Sequence, residues 1–420
     1  MGGSRARAPA SLDALCREVL ARTLRFEAPA DGVLRAFFRA HPQLGRRDRG
    51  EIAEAVFDVL RHRRLYAHLA QGGAGPIEPR LLALSQARRA GRLAIPPVAS
   101  AVRASLPDWL AEALWAHYGE AEAQALAAAL LETAPLDLRV NTLRADREQV
   151  HAALAAEGIE AQPLALAPDA LRVTGKPALE RSAPFEAGWC EVQDAGSQLI
   201  ALLVAPRRGQ TVIDLCAGAG GKTLALAAAM RSTGQVYACD VSAQRLLRMR
   251  RRLERCGATN VQPLALADER DARLQRLHGR ADAVLVDAPC SGTGTLRRNP
   301  DLKWRTGPAE VARLVAAQRS ILAAAAPLVR PGGCLVYATC SLLAAENEEQ
   351  AAWFEAMHPA WRRRPAGEVL AAQGAQPGPQ AVADGLLRLL PQRDGCDGFF
   401  AVRWERPRSN AKSHDGRVGG

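Results

Sequence analysis

The sequence contains no Cys-x-x-Cys pair. Its nine cysteines stand apart at positions 16, 190, 216, 239, 256, 290, 334, 340 and 396, which excludes zinc-ribbon spacing and reads as free thiols in a reducing compartment. No apolar h-region follows the first residues, so no secretory signal is expected. Ala6 stands where a myristoylation signal needs Ser or Thr. No apolar run reads as long enough to cross a bilayer. The expectation is a cytoplasmic monomer with neither membrane nor metal as partner. Lysine is scarce: of 55 basic residues only Lys176, Lys222, Lys303 and Lys412 are not arginine. A lysine kept inside a Gly-rich loop, as Lys222 is, points to a need for a compact ammonium where a planar guanidinium would be bulkier.

What is present is length, apolar content and positive charge. The 420 residues are 48% hydrophobic and carry a net charge of +11, enough for two or three domains and suited to a polyanion such as RNA. Compositional drift in a GC-rich coding sequence, heavy in Ala and Arg, is the competing explanation of the charge. Residues 10 to 104 show apolar positions at helical spacing in "SLDALCREVLARTL" and "GEIAEAVFDVLRHRRLYAHLA". Between them "GRRDRG" reads as a basic turn, either RNA-facing or a solvated helix end.

Residues 105–190 read as a small α+β unit, with strands "DLRVNTL" and "ALRVTG" around a helix "DREQVHAALAAEG" stopped by Gly158. From 211 to 405, short strands alternate with helices: "TVIDLC", "QVYACD", "VQPLAL", "ADAVLVD" and "CLVYATC". That alternation predicts an α/β fold with a doubly wound, mostly parallel sheet. "GLLRLLP" and "GFFAVRWE" read as two strands of a closing antiparallel hairpin with no helix between them. Residues 406–420 read as a disordered basic tail.

Chemistry concentrates at the predicted strand ends. "DLCAGAGGKT" follows the first strand and opens a helix, so its glycines let backbone approach a ligand at a helix N-terminus. The phosphate-loop pattern fails because Cys216 stands where its first Gly belongs, and strict GxGxxG fails too. A nucleoside-bearing cofactor with little or no phosphate remains. Asp240 ends the next strand and can accept both ribose hydroxyls. After the third strand, "ADERDAR" offers Asp268 or Asp271 to an adenine amine. Gly loop, Asp and Asp in this order fit S-adenosyl-L-methionine in a class I methyltransferase. Asp287 and Cys290 ("DAPC") and Cys340 ("ATCS") would share the same rim. A rim thiolate adding to carbon 6 of a pyrimidine would make carbon 5 nucleophilic. A nearby cation, Lys222, would favour that thiolate, and Asp287 is suited to ring N3 and the exocyclic amine. Chemistry alone leaves Cys290 and Cys340 both open as the attacking thiol. An inert packing role is expected for Cys216, Cys239, Cys256 and Cys334.

The segments "DLCAGAGGKT", "VLVDAPCSGTGTLRRNPDLKW", "LVYATCSLLAAENE" and "DGCDGFFAVRW" resemble the RsmB/NOP/Sun family of RNA cytosine-5 methyltransferases, over roughly 130 to 405. The resemblance implies a class I methyltransferase domain (191–405) with a mostly parallel seven-stranded sheet. It also implies a helical NusB-like RNA-binding domain (1–104) and an RNA-recognition-like subdomain (105–190). It makes Cys340 the nucleophile and Cys290 the residue that assists product release. The cofactor loop carries over to Cys216, Ala217, Gly218, Ala219, Gly220, Gly221 and Lys222, the ribose carboxylate to Asp240, and the base-binding carboxylate to Asp287. Its adenine-side pattern favours Asp271 over Asp268. Gly218-Ala219 replaces the usual Ala-Pro, which removes a fixed φ. The substrate it implies is RNA, 16S ribosomal RNA before tRNA. A DNA cytosine-5 enzyme would use only the "PC" cysteine, and an amino-group methyltransferase would need a different segment in place of "DAPC". A ribosome-assembly factor of the same fold that binds RNA without methylating it is the reading from another class.

Overall fold

The computed structural model describes residues 11–73 and 75–408. The N-terminal "MGGSRA" and residues 409–420 of the expected tail lie outside the described residues. Two compact units divide the chain after Thr133, and the segment Ser291–Val311 belongs with the first.

The first unit is helical: α1 (Leu12–Thr23), α2 (Ala30–Ala40), α3 (Arg46–Leu69), α4 (Glu78–Arg89), α5 (Ser100–Arg103) and α6 (Asp108–Ala129). Val19, Leu20, Phe37, Ile52, Val56, Leu60 and Leu81 form its core. "GRRDRG" is not a turn. Gly45 caps α3 and its N–H donates to the Asp48 carboxylate at 3.2 Å, so the basic run forms the first helical turns. The helix kinks at His62, and the carbonyls just before the kink accept from the segment 291–311. Trp304 Nε1 donates to Leu60 O at 2.9 Å and Lys303 Nζ to Arg61 O at 2.8 Å.

The second unit contains two sheets. The strands are β1 (Leu136–Val140), β2 (Ala161–Pro163), β3 (Ala170–Val173), β4 (Cys190–Val192), β5 (Thr211–Asp214), β6 (Gln235–Asp240), β7 (Val261–Ala265), β8 (Ala281–Asp287), β9 (Val329–Thr339), β10 (Arg362–Arg363), β11 (Leu387–Leu389) and β12 (Phe399–Glu405). The small sheet has order β2-β3-β1-β4, antiparallel where β1 meets β3 and β4. Its crossing helix Arg147–Ala156 is capped by Asp146 and ends before Gly158, whose φ of 72° suits only glycine readily.

The large sheet has order β10-β12-β9-β8-β5-β6-β7, with β11 beside β12. Pairs among β5 to β9 are parallel, and those of β12 are antiparallel. It carries eight strands, of which the short β10 and β11 pair only with β12. One helical turn, Pro391–Asp394, lies between β11 and β12 where none was expected. Successive residues face opposite cores: Val212, Leu285 and Val336 pack with helix Ala195–Val204, while Ile213, Val284 and Leu335 pack with Leu322 and Phe354. Burial on both faces explains why these strands read as continuous apolar runs.

Among the described residues one helical stretch, Pro308–Leu328, is long and apolar enough to cross a bilayer by length and composition, contrary to the sequence expectation. Arg313 and Arg319 interrupt it in the sequence, while Leu322 and Ala325 sit in the core beneath the sheet.

Candidate active site

Every parallel strand of the large sheet ends on the same rim, where a cavity of about 700 Å³ opens. Asp214 ends β5, Asp240 ends β6 and Asp287 ends β8, while Cys340 directly follows β9. Cys216, Ala217, Gly218, Ala219, Gly221, Lys222, Asp240, Asp268, Asp287, Cys290 and Cys340 all line the cavity. The register makes this so: Asp287 pairs with Ala338 across β8 and β9, and Ala288 N donates to Ala338 O at 2.9 Å. The DAPC and TCS turns therefore leave the sheet side by side. Their thiols meet, with Cys290 Sγ and Cys340 Sγ 3.4 Å apart.

The Gly loop is built on conformations that only glycine adopts without strain, φ 56° at Gly218 and 89° at Gly220. Gly220 does not line the cavity; a Cβ there would stand 2.5 Å from the Met249 side chain. At Gly221 a Cβ would meet nothing nearer than Gln193 Nε2 at 4.0 Å, so this stretch of backbone faces open space. Gly218 N–H donates to Asp240 Oδ2 at 2.8 Å, and Ser242 N–H to Asp240 Oδ1 at 2.7 Å. The strand-end carboxylate thus braces the loop that it faces.

Lys222 Nζ donates to Asp287 Oδ2 at 2.7 Å, and its side chain is only 12% exposed. Burial pulls its pKa down, but the Asp287 carboxylate outweighs burial and holds the ammonium above its usual value. Cys340 is within the electrostatic reach of that cation. Cys216 also lines the cavity, yet burial and the surrounding carboxylates, Asp214 first, push its thiol well up, which keeps it from acting as a thiolate. Burial likewise pushes Cys239 and Cys256 to about 12 and raises Cys334, as inert packing requires.

Asp268 lines the cavity and Asp271 does not. The Asp271 carboxylate is taken by its own turn: it accepts from Ala267 N at 2.9 Å, Arg273 N at 3.0 Å and the Arg273 guanidinium. These bonds hold it below the ordinary carboxylate range. Asp268 is likewise held by its turn, its Oδ1 accepting from Arg270 N at 2.8 Å, so the two carboxylates differ here in that only Asp268 lines the cavity.

Sequence reasoning missed several lining residues, among them Gln193, Asp194, Asp214, Arg245, Arg252 and Glu269. Asp214 was visible as the first residue of the loop motif. It is 1% exposed, and its Oδ2 accepts from Thr223 Oγ1 at 2.7 Å while Oδ1 has no hydrogen-bond partner. Burial raises its pKa to about 7 against the Thr223 hydrogen bond. An unpartnered buried carboxylate oxygen beside a glycine cradle suits a ligand that carries an ammonium group, as an amino-acid nucleoside does.

A doubly wound sheet with a glycine loop, a strand-end carboxylate braced on it and a second carboxylate beyond the third strand defines a class I methyltransferase, and its cofactor is S-adenosyl-L-methionine. Residues 201–405 match the 16S rRNA methyltransferase RsmB/F family, and residues 106–180 match the ferredoxin-like domain of RsmF/B-like methyltransferases. Over 303 residues, 72% of this chain and 67% of the relative, it is 39% identical to a probable ribosomal RNA small subunit methyltransferase B of Synechocystis sp.. A Bacillus subtilis protein of the same printed name is 36% identical over 71% of this chain and 66% of its own. The crystal structure of a methyltransferase homolog protein from Pyrococcus horikoshii superposes with a TM-score of 0.62 at 27% identity, covering 73% of this chain and 97% of that one. The chain belongs to the RsmB/F methyltransferase family. It spans about two thirds of the length of the curated relatives it matches.

Proposed function

We propose that the chain methylates carbon 5 of a cytosine in RNA, with small-subunit ribosomal RNA as substrate and Cys340 as nucleophile. The observation that carries this reading is the thiol pair, 3.4 Å apart on the cavity rim beside the Lys222–Asp287 ion pair. A methyltransferase acting on an amine or hydroxyl needs no thiol, whereas aromatic carbon 5 must first be made nucleophilic. S-adenosyl-L-methionine, when bound, supplies an electrophilic sulfonium methyl.

The side chains divide the remaining work. The Cys340 proton passes to solvent at the open rim, the Lys222 ammonium stabilises the thiolate left behind, and that thiolate forms a sulfur–carbon bond at carbon 6. The ring double-bond electrons shift to carbon 5, which then accepts the methyl. Asp287 faces ring N3 and the exocyclic amine and holds the ring in the form that makes this shift favourable. A base in the Cys290 turn removes the carbon 5 proton, the double bond re-forms, and the Cys340 thiolate leaves. Asp240 and Asp268 hold the ribose and adenine of the cofactor.

The printed names of the relatives support ribosomal RNA, and the +11 charge suits a polyanion. A cytoplasmic location follows from that substrate. Bisulfite sequencing of RNA from a strain lacking the gene tests the assignment. One cytosine of small-subunit rRNA should lose its protection. Loss at a tRNA position, or at none, contradicts the substrate.

A further inference from the structure

The cofactor loop has a brace that comes from neither of its own strands. Arg252, on helix Ala243–Cys256, donates from Nη1 to the Ala219 carbonyl at 2.7 Å. Its Nε and Nη2 donate to Glu191 Oε2 at 3.1 and 2.7 Å. Glu191 lies on β4 of the small sheet and its side chain is 3% exposed. The Arg255 guanidinium and Cys256 Sγ donate to its other oxygen. Burial raises the Glu191 pKa, but Arg252 and the other donors outweigh it and hold the carboxylate below its usual range. The anchor is therefore a fixed charge, and Arg252 spans from it to the loop.

The loop needs such a brace. Ala219 sits between Gly218 and Gly220, both at positive φ, and glycine backbone loses the most conformational freedom when it is ordered. A segment ordered before the ligand arrives binds it more tightly, because that entropy is not lost on association.

We infer that Arg252 is a positioning residue for S-adenosyl-L-methionine, acting through the Ala219 carbonyl and anchored by Glu191. The inference rests on the cofactor, not on the cytosine chemistry. Because Arg252 also lines the cavity, the test must separate loop bracing from direct ligand contact.

Calorimetry on the full chain with two ligands does so. S-adenosylhomocysteine carries an amino-acid carboxylate, and 5′-methylthioadenosine lacks it. Arg252→Ala should weaken both by a similar factor, roughly tenfold, as expected for one charge-assisted hydrogen bond. Glu191→Gln should weaken both by less. The double variant should be no weaker than Arg252→Ala alone, since the two residues act as one unit. In ligand-free protein, amide hydrogen exchange at Gly218 and Gly220 should accelerate in Arg252→Ala. If that variant does not fold, the near-isosteric Glu191→Gln must still show weaker binding and faster exchange. Unchanged affinity for both ligands overturns the inference. So does a loss confined to S-adenosylhomocysteine, which would make Arg252 a direct carboxylate contact.

Discussion

Asp214→Asn should stabilise the protein above pH 7 and weaken its cofactor binding. In the folded chain burial raises this carboxyl from 3.8 to about 7, against the Thr223 hydrogen bond and with Asp287 adding to the rise. A raised folded value means that its contribution to stability is fully present below pH 3.8 and is lost as pH climbs through 7. At roughly 1.4 kcal/mol per unit, this shift costs the folded state about 4 kcal/mol at pH 8 and about 1.5 kcal/mol at pH 5. The substituted amide would still accept from Thr223 and would carry no charge. Its NH₂ group adds a penalty of about 1–3 kcal/mol that does not change with pH. The stability difference between variant and parent should therefore shift toward the variant by about 3 kcal/mol from pH 5 to pH 8. Denaturant unfolding at the two pH values measures it, and calorimetry should show S-adenosylhomocysteine binding weakened about tenfold by loss of a charged acceptor. A difference that stays constant between pH 5 and pH 8 would refute the reasoning.

Two further outcomes are expected. Burial first, then Arg88, lowers His62 from 6.5 to about 3, and its ring nitrogens have no hydrogen-bond partner. The stability it contributes is present above pH 6.5 and lost as pH falls toward 3, so His62→Gln should flatten the acid limb of a thermal-melting profile; an unchanged limb sinks the assignment. RNA affinity should fall at least a hundredfold between about 50 and 200 mM salt if the arginine-rich surface holds several phosphates. Binding that is flat over that range would return the +11 charge to composition alone.

Much of the large sheet was legible because strands covered on both faces appear as unbroken apolar runs, and the helix of the small sheet because Gly158 marks its end. The rim residues were legible for the same reason: the strand ends are visible, and ligands sit beyond them. "GRRDRG" was misread because charge density hid a helix start whose one signal is Asp48, which accepts from the Gly45 amide. Spacing could not separate Asp268 from Asp271. They differ in that only Asp268 lines the cavity. Arg252 and Glu191 are 61 residues apart and meet only when β4 lies against helix Ala243–Cys256. The 3.4 Å approach of the two thiols likewise follows from the β8–β9 register, which no local pattern displays.

The central claim is the division of labour between those thiols, and a denaturing gel tests it directly. Protein, target RNA and S-adenosyl-L-methionine are incubated and the covalent protein–RNA band is measured. Cys290→Ala should accumulate the band, because addition and methylation need only Cys340 while release needs the Cys290 turn. Cys340→Ala should give no band and no methylated product, and the double variant should match it. A band with Cys340→Ala and none with Cys290→Ala would contradict the account, since Cys290 would then be the attacking thiol.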